Sequence, residues 1–398
     1  MTPTQAGPLA GTRVLDLTTM ISGPIATRML GDQGADVIKV EPPGSGDLVR
    51  RMGILRGDVS ATFVAANRNK RSVVVDLRQP GGLEVLHRLV RGADVFVQNF
   101  RPGTAERMGI GEAALRAIRP DLVYASISGF GEDGPLARKR VYDPLVQALS
   151  GLADIQRDRE TGRPRMVRLI VPDKLTAVTA AQAITAALLA RARTGRGQHV
   201  RLSMLDATIA FLWPEGMAGL TFPGRDDRGE RASLAQDLVY QTADGWLTAG
   251  AVSDAEWRGL CRALGRPEWL EDPRFDTPAG RVANADERLA LTADALRTRP
   301  SAEWLALLDA EGVPCAPILR RADVLTHEQV LANALVVESE HPSAGPVRDA
   351  RPAARFSEHP GAPARPAPGL GEHTDEVLRE AGFDDDALGA LRATGAVA

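Results

Sequence analysis

The sequence predicts an α/β protein: a Rossmann-like large domain on a mainly parallel sheet, with a smaller, mostly helical domain inserted in the chain. Three observations carry that prediction. Residues 1–130 alternate short Val- and Ile-rich runs with helical stretches, the pattern of successive β-α-β units. The Ala-rich run from Ala177 to Leu189 reads as a buried helix. From Tyr240 to about Leu325 the pattern turns helical, with Trp257, Leu260, Cys261 and Leu264 at i, i+3, i+4, i+7 spacing.

In chain order, strands are expected at Thr12–Leu17, Asp36–Glu41, Ser72–Asp76, Val95–Gln98 and Leu122–Ile127. Between them the pattern places helices at Pro24–Gly31, with proline at an early helical position, and at Gly81–Val90. Beyond the Ala-rich helix, Gly195 to Ser203 reads as a turn entering a strand, and Asp206 to Leu212 as a further apolar segment. The large domain thus takes in residues 1–220. A polar stretch, Gly224 to Glu230, marks a linker into the small domain at 221–330. Residues 331–398 return to the large domain, with two short strand-like runs and an extended Pro/Ala-rich stretch, Gly361 to Pro368.

The chain has 398 residues, 44% hydrophobic and 25% charged, in the range of a soluble globular protein of about two or three domains. A formal charge of −3 gives no general attraction to nucleic acid or to an anionic membrane, so an anionic ligand has to be held locally. Cys261 and Cys315 are too few for a disulfide framework and point to a reducing compartment. Residues 1–7 lack the basic and apolar regions of a secretory signal, and no uncharged apolar run reaches membrane-spanning length; a cytoplasmic location is expected. The six histidines lack metal-ligand spacing and no G-x-S-x-G elbow occurs, which argues against metal and serine hydrolysis.

Asp173, in Val171-Pro172-Asp173-Lys174, opens the Ala-rich helix. A carboxylate there faces free backbone N–H groups and the positive end of the helix dipole, and so is expected to stay ionised and suit nucleophilic attack. Aspartate is equally a favoured N-cap, a role that needs no chemistry. Gly129-Phe130-Gly131-Glu132-Asp133-Gly134 matches G-x-G-x-x-G after a strand, but Pro135 and Arg138-Lys139-Arg140 follow where a dinucleotide site needs an apolar helix. Lys70-Arg71, Arg101, Arg107 and Arg138-Lys139-Arg140 lie near strand ends or in loops. Singly each reads as surface charge; together they fit a polyphosphate ligand at the sheet edge. Tyr142-Asp143 suits either substrate orientation or a local turn.

Taken together, several segments resemble the family III CoA-transferases, which include the α-methylacyl-CoA racemases. They are Val14-Leu15-Asp16-Leu17-Thr18 with Ser22-Gly23-Pro24, Leu30 to Glu41, Asn69-Lys70-Arg71-Ser72, Asn99-Phe100-Arg101-Pro102-Gly103 and Ser128 to Pro135. The Asp173 helix and Gly197-Gln198-His199-Val200 with Ser203-Met204-Leu205-Asp206 complete the set. The resemblance makes Asp173 the catalytic aspartate, which forms a mixed anhydride with the donor acyl group and then an aspartyl-CoA thioester. It places CoA contacts on Val75 to Arg78, Asn99, Phe100, Arg101 and Arg107, and on Arg140, Val141, Tyr142 and Asp143. It implies no cofactor beyond CoA as substrate and no metal. It also implies a homodimer of two interlocked rings, its active site shared between the large domain of one subunit and the small domain of the other.

The departures matter. The racemases have a His-Asp acid/base pair where this chain has Tyr142-Asp143, and tyrosine is a poor proton shuttle near neutral pH. Ile21 stands where oxalate-accepting formyl-CoA transferases have Gln, and their polyglycine stretch is missing. Pro42 replaces a CoA-binding Arg of some relatives. The expected activity is therefore CoA transfer from an acyl-CoA to a free carboxylic acid. The alternatives are an α-methylacyl-CoA racemase and a CoA-thioester binding protein without turnover, and no nucleic acid, membrane or other protein partner is expected.

Overall fold

The structure is a computed structural model that describes residues 7–158, 161–224, 237–359 and 364–398. Most of the polar stretch Gly224 to Glu230, the beginning of the Pro/Ala-rich stretch at 361–368 and the first six residues lie outside these. The chain forms two compact units, residues 1–214 with 335–398, and residues 215–334.

The first unit is a mixed α/β structure around a six-stranded sheet. Its strands are β1 (Arg13–Asp16), β2 (Asp36–Glu41), β3 (Lys70–Val74), β4 (Val95–Gln98), β5 (Val123–Ser128) and β6 (His199–Ser203). All pair in parallel, in the order 3-2-1-4-5-6. That order reverses between β1 and β4, and in doubly wound sheets the crevice beyond the strand ends at such a point is where ligands bind.

Both faces of the sheet are covered, so the strands read as nearly continuous apolar runs. Leu15, Ile38, Val73, Phe96 and Tyr124 face α2 (Pro80–Arg91) through Val85, Leu86, Leu89 and Val90. Val14, Val37, Val95, Val97, Val123 and Ala125 face α1 (Ser22–Asp32) and α4 (Val171–Thr194). The alanines Ala177, Ala180 and Ala181 are buried there beside Ala26 and Leu30 of α1. Small side chains let two helices and a sheet pack closely, which explains why α4 is apolar and Ala-rich. By length and hydropathy α4 could cross a membrane, yet here it is a core helix. A substitution that empties this layer, such as Ile184→Ala, costs about 2–5 kcal/mol.

β3 and α1 each begin earlier than the sequence pattern indicates. β3 starts at Lys70 because Lys70 and Arg71 enter the strand as buried, ion-paired residues. α1 starts at Ser22, ahead of Pro24, because Gly23 allows a close approach: a Cβ there would fall 2.3 Å from that of Thr18. The C-terminal segment adds an antiparallel hairpin, Val336–His341 with Gly345–Ala350. It also adds helices Thr374–Glu380 and Asp385–Ala393, whose Val377, Leu378 and Leu388 enter the α2-side core.

The second unit has its own core of Trp257, Leu260, Cys261, Leu264, Trp269, Phe275, Leu296, Trp304 and Leu308. Helix Asp254–Ala263 begins with a Ser253/Glu256 capping box. The helical expectation omits a three-stranded antiparallel sheet of Val239–Gln241, Trp246–Ala249 and Cys315–Pro317. Strands of three or four residues are too short to show a period of two.

Candidate active site

The loop leaving β1, residues 17–21, is held from below by a buried ion network. Asp16 accepts hydrogen bonds from the Thr18 backbone N–H, from Thr27 Oγ1 (2.7 Å) and from Lys70 Nζ (2.8 Å). Lys39 Nζ donates to the Thr18 carbonyl (2.8 Å) and to Asp47 Oδ2 (3.0 Å), while Asp47 Oδ1 accepts the Met20 N–H. Burial works to raise the Asp16 carboxyl, but Lys70 and Lys39 hold it far below the usual carboxylate range. Glu41 joins the network, fully paired with Arg50. Met20 takes φ +70°, a left-handed conformation that costs a non-glycine residue about 1–3 kcal/mol. Such strain persists only where the surroundings impose it, as this network does.

Asn99, beyond β4, binds the same loop: its Oδ1 accepts the Thr19 N–H (3.0 Å) and its Nδ2 donates to the Thr19 carbonyl (2.8 Å). The loop delivers Ser22, the first residue of α1, to Asp173, whose Oδ1 accepts the Ser22 hydroxyl.

Asp173 lies third in α4, not at the N-cap, which is Ile170. The helix start is held by α3 (Asp143–Leu149). Asp143 Oδ2 accepts the Asp173 N–H (3.3 Å), and its Oδ1 accepts Gln147 Nε2 (2.6 Å). The Gln147 amide also accepts the Val167 N–H and donates to the Val167 and Leu169 carbonyls. Burial lifts the Asp173 carboxyl above its ordinary value; Ser22 opposes this and the Asp143 carboxylate adds to it. The helix end and Ser22 favour the charged form, but burial of the first turn and the nearby Asp143 carboxylate outweigh them and raise the carboxyl.

The other predicted residues separate by exposure. Arg101, Arg107, Arg140 and Tyr142 are exposed at the ends and loops of the sheet, Tyr142 by 65%. Arg78 is exposed and paired with Asp76 (2.8 Å), and the Val75 side chain is buried in the α2-side core. Phe100 leans on that core and, with Arg101, lines a cavity of about 540 Å³ bounded also by Ser126, Glu132, His199 and Arg201. Lys70 and Arg71 are not ligand cations. Lys70 is buried against Asp16, and Arg71 is spent on Asp36, Glu376 and Glu380. In the glycine motif, residues 129–142 form no helix, and Glu132 instead accepts from Ser126 Oγ (2.9 Å) and pairs with Arg201. In the later Gly197-Gln198-His199 motif, a Cβ on Gly197 would fall 2.2 Å from the Leu122 carbonyl, and His199 bonds Ser126 (2.7 Å).

Sequence reasoning missed Ser22 and Gln147 as site residues. Ser22 lay within a quoted motif without a role, and nothing marked Gln147.

A doubly wound α/β unit with a half-buried aspartate that has no cationic partner among the described residues defines a protein suited to covalent acyl chemistry. The family model for CoA-transferase family III matches residues 9–374, and the chain belongs to that family. It is 35% identical over 396 residues to the human succinyl-CoA:glutarate CoA-transferase, covering 98% of this chain and 90% of that protein. It is 38% identical over 335 residues to the acetyl-CoA:oxalate CoA-transferase of Acetobacter aceti, covering 84% and 86%. A crystal structure of a CAIB/BAIF family protein from Brucella suis superposes with a TM-score of 0.82 at 32% identity, covering 95% of this chain and all of that one.

Proposed function

We propose that this protein transfers CoA from an acyl-CoA donor to a free carboxylic acid, with Asp173 as nucleophile. The observation that carries the reading is the Asp173 carboxylate, raised in basicity, free of cationic partners and hydrogen-bonded only on Oδ1 among the described contacts. An oxygen of that carboxylate attacks the donor acyl carbon; the C–S bond breaks and CoA leaves as thiolate. The thiolate then attacks Asp173 Cγ and the donor acid departs, leaving an aspartyl-CoA thioester. The acceptor carboxylate attacks that thioester, forms a new anhydride and releases the thiolate, which attacks the acceptor acyl carbon and regenerates Asp173.

Arg101, Arg107 and Arg140 supply charge for the CoA phosphates, and Phe100 an apolar face for its adenine or pantetheine portion. Asn99 and Asp143 act through the chain, by fixing the loop and the helix start. The named substrates of the relatives make small dicarboxylic acids the first acceptors to test. The working form is a homodimer, as the family resemblance implies; the exposed Val178, Leu189 and Phe211 of the first unit supply apolar surface for an interface.

The test is mass spectrometry of CoA thioesters after incubation in D₂O with several acyl-CoA donors and mixed mono- and dicarboxylic acids. New thioesters without α-deuterium are expected. Deuterium at the α-carbon of an otherwise unchanged donor would contradict the reading and favour a racemase.

A further inference from the structure

Ser22 presents its hydroxyl to Asp173 Oδ1 as a hydrogen-bond donor. It is the first residue of an eleven-residue helix, where N–H groups lack intrahelical partners and the dipole is positive. Its position is imposed rather than adaptable. Ser22 is 5% exposed, Asp47 holds Met20, Asn99 holds Thr19, and Gly23 is pressed against Thr18.

The consequence rests on the covalent route above. In that route Asp173 Cγ is itself attacked twice, by CoA thiolate on the anhydride and by the acceptor carboxylate on the thioester. Each attack forms a bond to Cγ and moves the carbonyl electron pair onto Oδ1. The pair then returns as the Cγ–O bond to the donor acid, or the Cγ–S bond to CoA, breaks. Oδ1 therefore passes from a neutral carbonyl oxygen to a full oxyanion and back. A donor already aimed at that atom stabilises the transition state more than the intermediates on either side.

We propose that Ser22 is a catalytic residue: its hydroxyl is the oxyanion-hole donor for attack on Asp173 Cγ, and by holding Oδ1 it leaves Oδ2 to attack the acyl-CoA. The hole thus serves the enzyme's own carbonyl.

The test compares Ser22→Ala, Ser22→Thr and Asp173→Ala by steady-state and rapid-quench kinetics, with intact-protein mass readout after mixing with donor acyl-CoA. Ser22→Ala is expected to lower kcat about 10²-fold, the usual loss for one oxyanion donor, with a KM for acyl-CoA within about 3-fold of wild type. Its acyl-anhydride form should accumulate because conversion to the aspartyl-CoA thioester is slowed. Ser22→Thr, which keeps the hydroxyl, should recover to within about tenfold of wild type. Wild-type kcat in Ser22→Ala, or thioester formation at the wild-type rate, overturns the proposal. Turnover by Asp173→Ala overturns the covalent route itself, a separate outcome. Thermal unfolding of each variant distinguishes lost chemistry from lost fold.

Discussion

Asp16 and Asp173 flank the same loop, and their surroundings drive them apart. Asp16 is fully buried, yet Lys70 and Lys39 overcome the cost of burial and keep it ionised. Asp173 is half-buried, with the Asp143 carboxylate as its nearby charge and, among the described residues, only Ser22 in compensation, so its carboxyl is raised. One carboxylate is fully engaged in holding the chain; the other accepts only the Ser22 hydroxyl among the described residues. Titratable groups pushed in opposite directions within one site commonly separate a structural role from a chemical one.

The widest separation should come from replacing each aspartate. Asp173→Ala is expected to reduce transfer on the order of 10⁴-fold or more, while acyl-CoA binding by calorimetry stays within about tenfold. Asp16→Asn should instead unfold more easily by about 3–5 kcal/mol in urea, because buried Lys70 loses its ion-pair partner. Similar stability losses for Asp16→Asn and Asp173→Asn would erase the distinction. Asp173→Asn should in fact be more stable than wild type by about 1 kcal/mol, seen as a higher Tm, because it removes a poorly compensated buried charge.

The pH dependence sharpens the same contrast. Asp173 attacks only as carboxylate, so kcat/KM should fall as pH drops through its raised pKa. Asp16 has a depressed folded pKa, so its stabilisation is present above the unfolded value near 3.9 and is lost as pH falls toward the folded one. Asp173 works in the opposite sense, its charge costing stability above its raised pKa. Activity should therefore fade in mild acid while circular dichroism still reports a folded chain, and coincident loss of both would contradict this. The smallest effects belong to the exposed cations. Arg101→Ala or Arg140→Ala should raise KM for acyl-CoA about tenfold and leave stability within about 0.5 kcal/mol.

The extent to which the sequence foretells this site follows from the range of each interaction. β2 and β4 are legible to the residue because their apolar runs are bounded by turn residues. β3 is not, since Lys70 and Arg71 look like loop charges until Asp16 and Asp36 meet them. Asp173 stands out at the head of an apolar helix. Its surroundings do not, because Ser22 lies 151 positions away and Asp143 thirty, and no local pattern records either contact. The cations show the same limit: buried Lys70 and exposed Arg140 are indistinguishable until the sheet is assembled.

The most direct test of the central role of Asp173 is peptide mass spectrometry of the protein quenched during turnover with a donor acyl-CoA. The account predicts CoA attached through Asp173, and borohydride should convert that residue to the corresponding alcohol. A CoA adduct on another residue, or full turnover in Asp173→Ala with no adduct at all, would contradict it.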